Sequence, residues 1–207
     1  PSARIGMYGF TEGNGLKLLR DSLRKQFEDS QLKWNEPKGE HINLISIVGE
    51  IDAAELDRIR SVIVSWKETH PFSGWLDLDQ VDLVFHQDDL LNSEKCYSPD
   101  RKFSLEQPIL NAFHRMMDSY WFFIENKSKE EATETDLKPA LEKFDVSGNP
   151  KPFYGVTVIG WVNRASTLYE QLVSLQDRLK REFEKAKLGT IAAFVPSESF
   201  HITLQDL

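Results

Sequence analysis

The sequence predicts an α+β fold of two lobes, pseudo-symmetric about a central cleft, each lobe an antiparallel sheet with helices on its outer face. Three observations lead to this class. Strand-like and helix-like segments alternate along the chain, and a strand–helix–strand unit occurs near each end. In both units the last strand opens on a histidine and places polar and apolar residues on alternate faces.

Taken in order, residues 3–10 (ARIGMYGF) are short, apolar-rich and closed by Gly13 and Gly15, which suits a strand. Residues 15–28 follow with Leu16, Leu18, Leu19, Leu23 and Phe27 at helical spacing on one face. Pro37 and Gly39 mark a loop, and HINLISIVGE is a β-rich run ending at Gly49. Leu56, Ile59, Val62, Ile63 and Trp66 describe the next helix, which Pro71 stops. Residues 75–85 alternate around Leu76, Leu78, Val81, Leu83 and Phe85, as a half-buried strand does.

The C-terminal third repeats the order. FYGVTVIGWV at 153–162 is a strand, and Leu168, Leu172, Leu175, Leu179 and Phe183 line a helix over 166–186. Pro196 marks a loop, and SFHITLQDL closes the unit as a strand. Between the copies, Ile109, Phe113, Met116, Met117, Tyr120, Trp121 and Ile124 trace an apolar stripe expected on a helix over 109–124. Such a stripe packs against a core or, alternatively, receives a partner protein. Residues 127–145 are charged and contain Pro139, as an exposed linker or short solvated helix would. The expected organisation is one domain over 1–207. It comprises a lobe with the HINL strand over 1–105, a helical connector over 106–150 and a lobe with the HITL strand over 151–207.

Composition narrows the function. The 207 residues carry 25 Lys and Arg against 33 Asp and Glu, a net charge of −8. That balance argues against coating long duplex nucleic acid, where binding depends on neutralising many phosphates. A small phosphorylated ligand or an RNA end in a locally basic cleft remains compatible. The apolar runs WFFI at 121–124 and IAAFV at 191–195 fall far short of the ~20 residues needed to span a bilayer. No signal-peptide pattern stands in PSARIGMYGF, so no membrane association is expected. Cys96 is the single cysteine, which fits a reducing, cytoplasmic setting. No metal-ligating motif and no Gly-rich phosphate loop is present in the sequence, so neither metal nor cofactor is expected.

Five histidines are candidates for chemistry. His70 precedes Pro71 at a helix end, where a capping role is expected; His86 closes a strand beside Gln87 and Asp88 and reads as a surface residue. His114 adjoins Phe113 in the apolar stripe and reads as interfacial. His41 and His201 differ because their settings match, in His41-Ile42-Asn43-Leu44 and His201-Ile202-Thr203-Leu204. Positions i and i+2 of a strand share a face, so each unit presents an imidazole beside a polar side chain.

These motifs resemble those of the two-histidine (2H) phosphoesterase superfamily, which includes RNA 2′,3′-cyclic phosphodiesterases. VPSESFHITL at 195–204 resembles the family's first motif, and KGEHINLISIVGEIDAAELDRIRSVI at 38–63 a motif strand with its helix. Residues 81–105 are similar to the closing segment of the second lobe, and residues 143–161 to the opening of a bacterial branch. The resemblance covers about three quarters of the chain and leaves residues 106–142 outside it. It departs from the family twice: Asn43 stands where Thr or Ser is usual, and the lobes come in permuted order.

The resemblance implies a hydrolase that opens a 2′,3′-cyclic phosphate on an RNA end or a nucleotide, an activity of RNA processing. His41 and His201 would be general acid and base, Asn43 and Thr203 would hold phosphoryl oxygens, and Tyr8 and Trp161 would line a pocket for a base. Two other readings stay open. One is a phosphate-binding module without turnover, which Asn43 favours; the other is an adaptor that uses the 109–124 stripe.

Overall fold

The computed structural model describes residues 4–28, 34, 40–70, 73–91, 102–114 and 140–207. The elements are β1 (Arg4–Glu12), α1 (Gly15–Gln26), β2 (Glu40–Ile47), α2 (Ala53–Thr69), β3 (Ser73–His86), β4 (Lys102–His114), β5 (Gly155–Trp161), α3 (Thr167–Lys185), β6 (Ala192–Phe194) and β7 (His201–Asp206). Helices and strands thus stand where the hydrophobic spacing puts them in both end units. Asp52 and Glu55 close a reciprocal capping box at the start of α2, and the Ser166 hydroxyl accepts the Tyr169 amide at the start of α3. His70 ends α2 as expected, stacked on Trp66 at 4.8 Å between ring centroids.

The strands form one antiparallel order, β6-β2-β1-β4-β3-β5-β7. β1 is the joint between two parts of it. Its residues Arg4–Gly9 pair with β2, while Phe10–Glu12 pair with β4. The far strand β7 comes back close to β2, so the two histidine-bearing strands lie near each other without sharing a ladder. α2 and α3 pack together, with the Arg178 guanidinium donating to the Ser65 hydroxyl at 3.2 Å. The apolar sides of β2 and β7 (Ile42, Leu44, Ile202, Leu204) and of α3 (Leu172, Leu175, Leu179, Phe183) are fully buried in one core. Sealing so much aliphatic surface is the main stabilising contribution, at ~25 cal/mol per Å².

The connector differs from expectation. Residues 109–114, expected to begin a helix over 109–124, are the second half of strand β4. The neighbouring strands give the physical reason, since a strand here completes backbone ladders with both β3 and β1. Pro108 is compatible with it, because strands accept proline where the ladder is interrupted. Here four residues of β4, Leu105–Pro108, lie opposite the single residue Asp79 of β3, a large bulge that places Pro108 outside regular pairing. With β3 on one side and β1 on the other, Ile109 is fully buried. The rest of the stripe, including Met116, Met117, Tyr120, Trp121 and Ile124, lies outside the described residues, as do Cys96 and residues 127–139. Of the expected linker over 127–145, residues 140–143 are a helical turn, and Phe144 after it is fully buried.

Candidate functional site

Alternation along β2 and β7 works as the two tetrapeptides suggest. Ile42, Leu44, Ile202 and Leu204 face the core with no exposure, while His41, Asn43, His201 and Thr203 are half-buried on the other side. Both strands then carry the same irregularity at the same motif position. Opposite β1, Ile45 pairs with Ile5 and Asn43 with Gly6, so Leu44 is an extra residue. Opposite β5, Gln205 pairs with Val158 and Thr203 with Ile159, so Leu204 is an extra residue. A bulge shifts the alternation by one. Ser46 therefore joins the face of His41 and Asn43, and Asp206 joins the face of His201 and Thr203.

The bulge carbonyls are held by polar side chains from helices. The buried Gln176 amide of α3 donates to the Leu44 carbonyl at 2.9 Å and to the Val195 carbonyl at 2.7 Å. The Arg20 guanidinium of α1 donates to the Leu204 carbonyl at 3.0 Å. Each helix thus reaches the motif strand of the opposite end unit. This contact holds β2 and β7 in a set relation.

The cross-strand partners of the histidines are the two aromatics expected in the pocket. Tyr8 pairs with His41 and Trp161 with His201. The Trp161 ring meets the His201 imidazole edge-on at 5.9 Å, and its indole N–H donates to the Asp82 carboxylate at 2.8 Å. The Tyr8 side chain lies outside the described residues.

His201 Nδ1 lies 2.7 Å from the Ser199 carbonyl oxygen, an acceptor only, so Nδ1 carries the proton and Nε2 keeps its lone pair. Burial pushes this imidazole down from its ordinary 6.5 to about 4; the Ser199 carbonyl and the Asp89 carboxylate work against that, while His41 and His86 add to it by like charge. At neutral pH His201 is therefore an uncharged base. Asn43 is less open than expected. Its Nδ2 donates to the buried Ser46 hydroxyl at 3.2 Å, and its Oδ1 is buried without a partner. A half-turn of the amide lets Oδ1 accept from the Ser46 O–H and puts the Nδ2 hydrogens at the buried position that has no protein partner, where a ligand oxygen would be their acceptor.

His86, expected at the surface, is buried. Its Nδ1 faces the Phe153 carbonyl at 3.1 Å, and its Nε2 lies 3.2 Å from the Thr157 hydroxyl, which donates to Asp206 at 3.2 Å. Gly155 makes the space, since a Cβ there would stand 2.5 Å from His86 Nε2. Three charged groups were also missed. Asp89, after β3, pairs through one oxygen with Arg4 at 3.7 Å and through the other with Lys143. Spacing alone carried no signal for these residues, because Arg4, Asp89 and Lys143 meet only in the folded chain. Ser46 and Asp206 did carry one, since each lies five positions beyond its histidine, but the bulge that turns them inward is not written in the residue types.

Among the described residues, no helix is long and apolar enough to cross a membrane. Residues 143–207 match the family model described as 2H-phosphodiest, domain of unknown function (DUF1868). No curated protein and no solved structure matches the chain.

Proposed function

Through residues 143–207 the chain belongs to the 2H phosphoesterase family, and we propose that it hydrolyses a 2′,3′-cyclic phosphate on an RNA end or nucleotide, with His41 and His201 as its acid–base pair. The observation that carries this reading is the shared bulge. Two strands from opposite ends of the chain present the same row of imidazole, hydrogen-bonding side chain and third polar group. The reading treats the chain as two lobes whose motif strands flank a cleft.

In the step itself, His201 Nε2 takes a proton from water as the water oxygen attacks phosphorus. The bond from phosphorus to one ribose oxygen breaks, and His41 gives that oxygen a proton. The product is a phosphate monoester beside a free hydroxyl. Thr203 and the turned Asn43 amide donate to the nonbridging oxygens, where negative charge develops. Trp161 lines the His201 side of the cleft, and Tyr8 is the cross-strand partner of His41. Proton transfer between imidazoles and substrate requires no metal in this scheme.

The test is hydrolysis of 2′,3′-cyclic AMP in the presence of a chelator, followed by phosphorus NMR. Each of His41→Ala and His201→Ala is expected to lower the rate 10²-fold or more, and the double variant little further. A second reading, binding without turnover, is favoured by the Nδ2 bond from Asn43 to Ser46. Asn43→Thr separates the two: hydrolysis that appears only in this variant identifies the parent as a binding module.

A further inference from the structure

We infer that Arg4 and Lys143 form a second anion subsite beside the histidines, which takes the phosphodiester next to the reacting end of an oligonucleotide. This rests on the phosphodiesterase reading and names its substrate class: a chain end rather than a free mononucleotide.

Arg4 pairs with Ser46 across β1 and β2, and Arg4, Gly6 and Tyr8 occupy one face of β1, opposite Ser46, Asn43 and His41. Ile5 and Met7 point the other way, into the core. The Arg4 guanidinium therefore stands on the site's face, in the row beyond Asn43. At strand rise, the three residues from Asn43 to Ser46 span roughly 7–10 Å, which a nucleotide's backbone can bridge.

The guanidinium is poorly satisfied for a group so enclosed. Its side chain keeps 19 % of its exposure, its Nε is buried without a hydrogen-bond partner, and its ionic partner Asp89 stands at 3.7 Å, beyond hydrogen-bond reach. A guanidinium has five N–H donors suited to two oxygens of one phosphate. Lys143 comes to the same carboxylate from the other side, its ammonium 4.5 Å above the Phe153 ring. Two cations share the one Asp89 carboxylate in a chain of net charge −8. Asp89 also acts electrostatically on His201. A phosphodiester carries a negative charge and supplies the oxygen acceptors that Arg4 Nε lacks.

The experiment compares kcat/KM for 2′,3′-cyclic AMP with that for the ApA dinucleotide ending in the same cyclic phosphate. Wild-type protein is expected to favour the dinucleotide by tenfold or more. Arg4→Gln and Lys143→Gln each narrow that ratio, together bring it close to one, and Arg4→Lys retains part of it. The log–log salt slope for the dinucleotide should also flatten by about 0.7 for each cation removed. A ratio near one in the wild type, or one the variants leave as it is, overturns the subsite while the phosphodiesterase reading stands. If the folded wild type hydrolyses neither substrate, that reading fails, and inorganic phosphate decides the subsite. Binding lost in Arg4→Gln but kept in His41→Ala upholds an anion site at Arg4, and any other pattern overturns it.

Discussion

At His201 the tautomer and the charge point to the same role. The Ser199 carbonyl fixes the proton on Nδ1, and burial keeps the ring neutral down to about pH 4, so Nε2 is ready to accept a proton over the whole physiological range. Its acid limb in kcat/KM, which reports the free enzyme, is expected between pH 4 and 5 rather than near the ordinary value of 6.5. Measuring kcat/KM for a cyclic nucleotide from pH 3.5 to 9 checks this. An acid limb at 6.5 would mean that His201 is not the base. Histidine spacing was enough to nominate His41 and His201 from the sequence. Which of them is the base was not readable there, because the deciding carbonyl and the burial belong to the folded chain.

Among the elements, α3 has the most specific task. Its apolar stripe was plain in the sequence, yet Gln176 within it looked like an ordinary polar interruption. Folded, Gln176 is 1 % exposed and satisfies carbonyls of β2 and of the segment after β6. Gln176→Leu keeps the volume and strips the Val195 carbonyl of its donor, while the Leu44 carbonyl keeps the Val195 N–H at 3.0 Å, so the expected cost is about 1–3 kcal/mol. A urea midpoint compared with wild type measures it, and a loss below about 0.5 kcal/mol would show that the Val195 carbonyl finds another donor. β4 teaches the converse. Its stripe of Ile109 and Phe113 fits a helix by spacing, but the open edges of β1 and β3 make strand the better outcome.

For the molecule as a whole, stability should depend on pH through the same histidine. The folded-state value of His201 lies below its unfolded value, so the unfolded chain binds more protons between about pH 6.5 and 4. Stability is therefore at its full level above 6.5 and falls as the pH drops through that window. Because the ring is partly exposed, about 2 kcal/mol is the expected size of the loss. Urea unfolding at pH 7 and pH 4.5 measures it, and the drop should shrink in His201→Asn. An equal drop in that variant would assign the acid sensitivity to other groups.

Apolar periodicity was enough to define the helices and strands of both end units, because burial of one face is a local demand that each segment meets with its own residues. It also identified the paired His-x-polar motifs, whose i and i+2 positions share a face in any strand. The bulges at Leu44 and Leu204, the reach of Gln176 and Arg20 across the molecule, the burial of His86, and the meeting of Arg4, Asp89 and Lys143 are of another kind. Each depends on which strand lies beside which and on where ladder pairing slips by a residue. Those choices are made by long-range packing, and no single stretch of the chain encodes them.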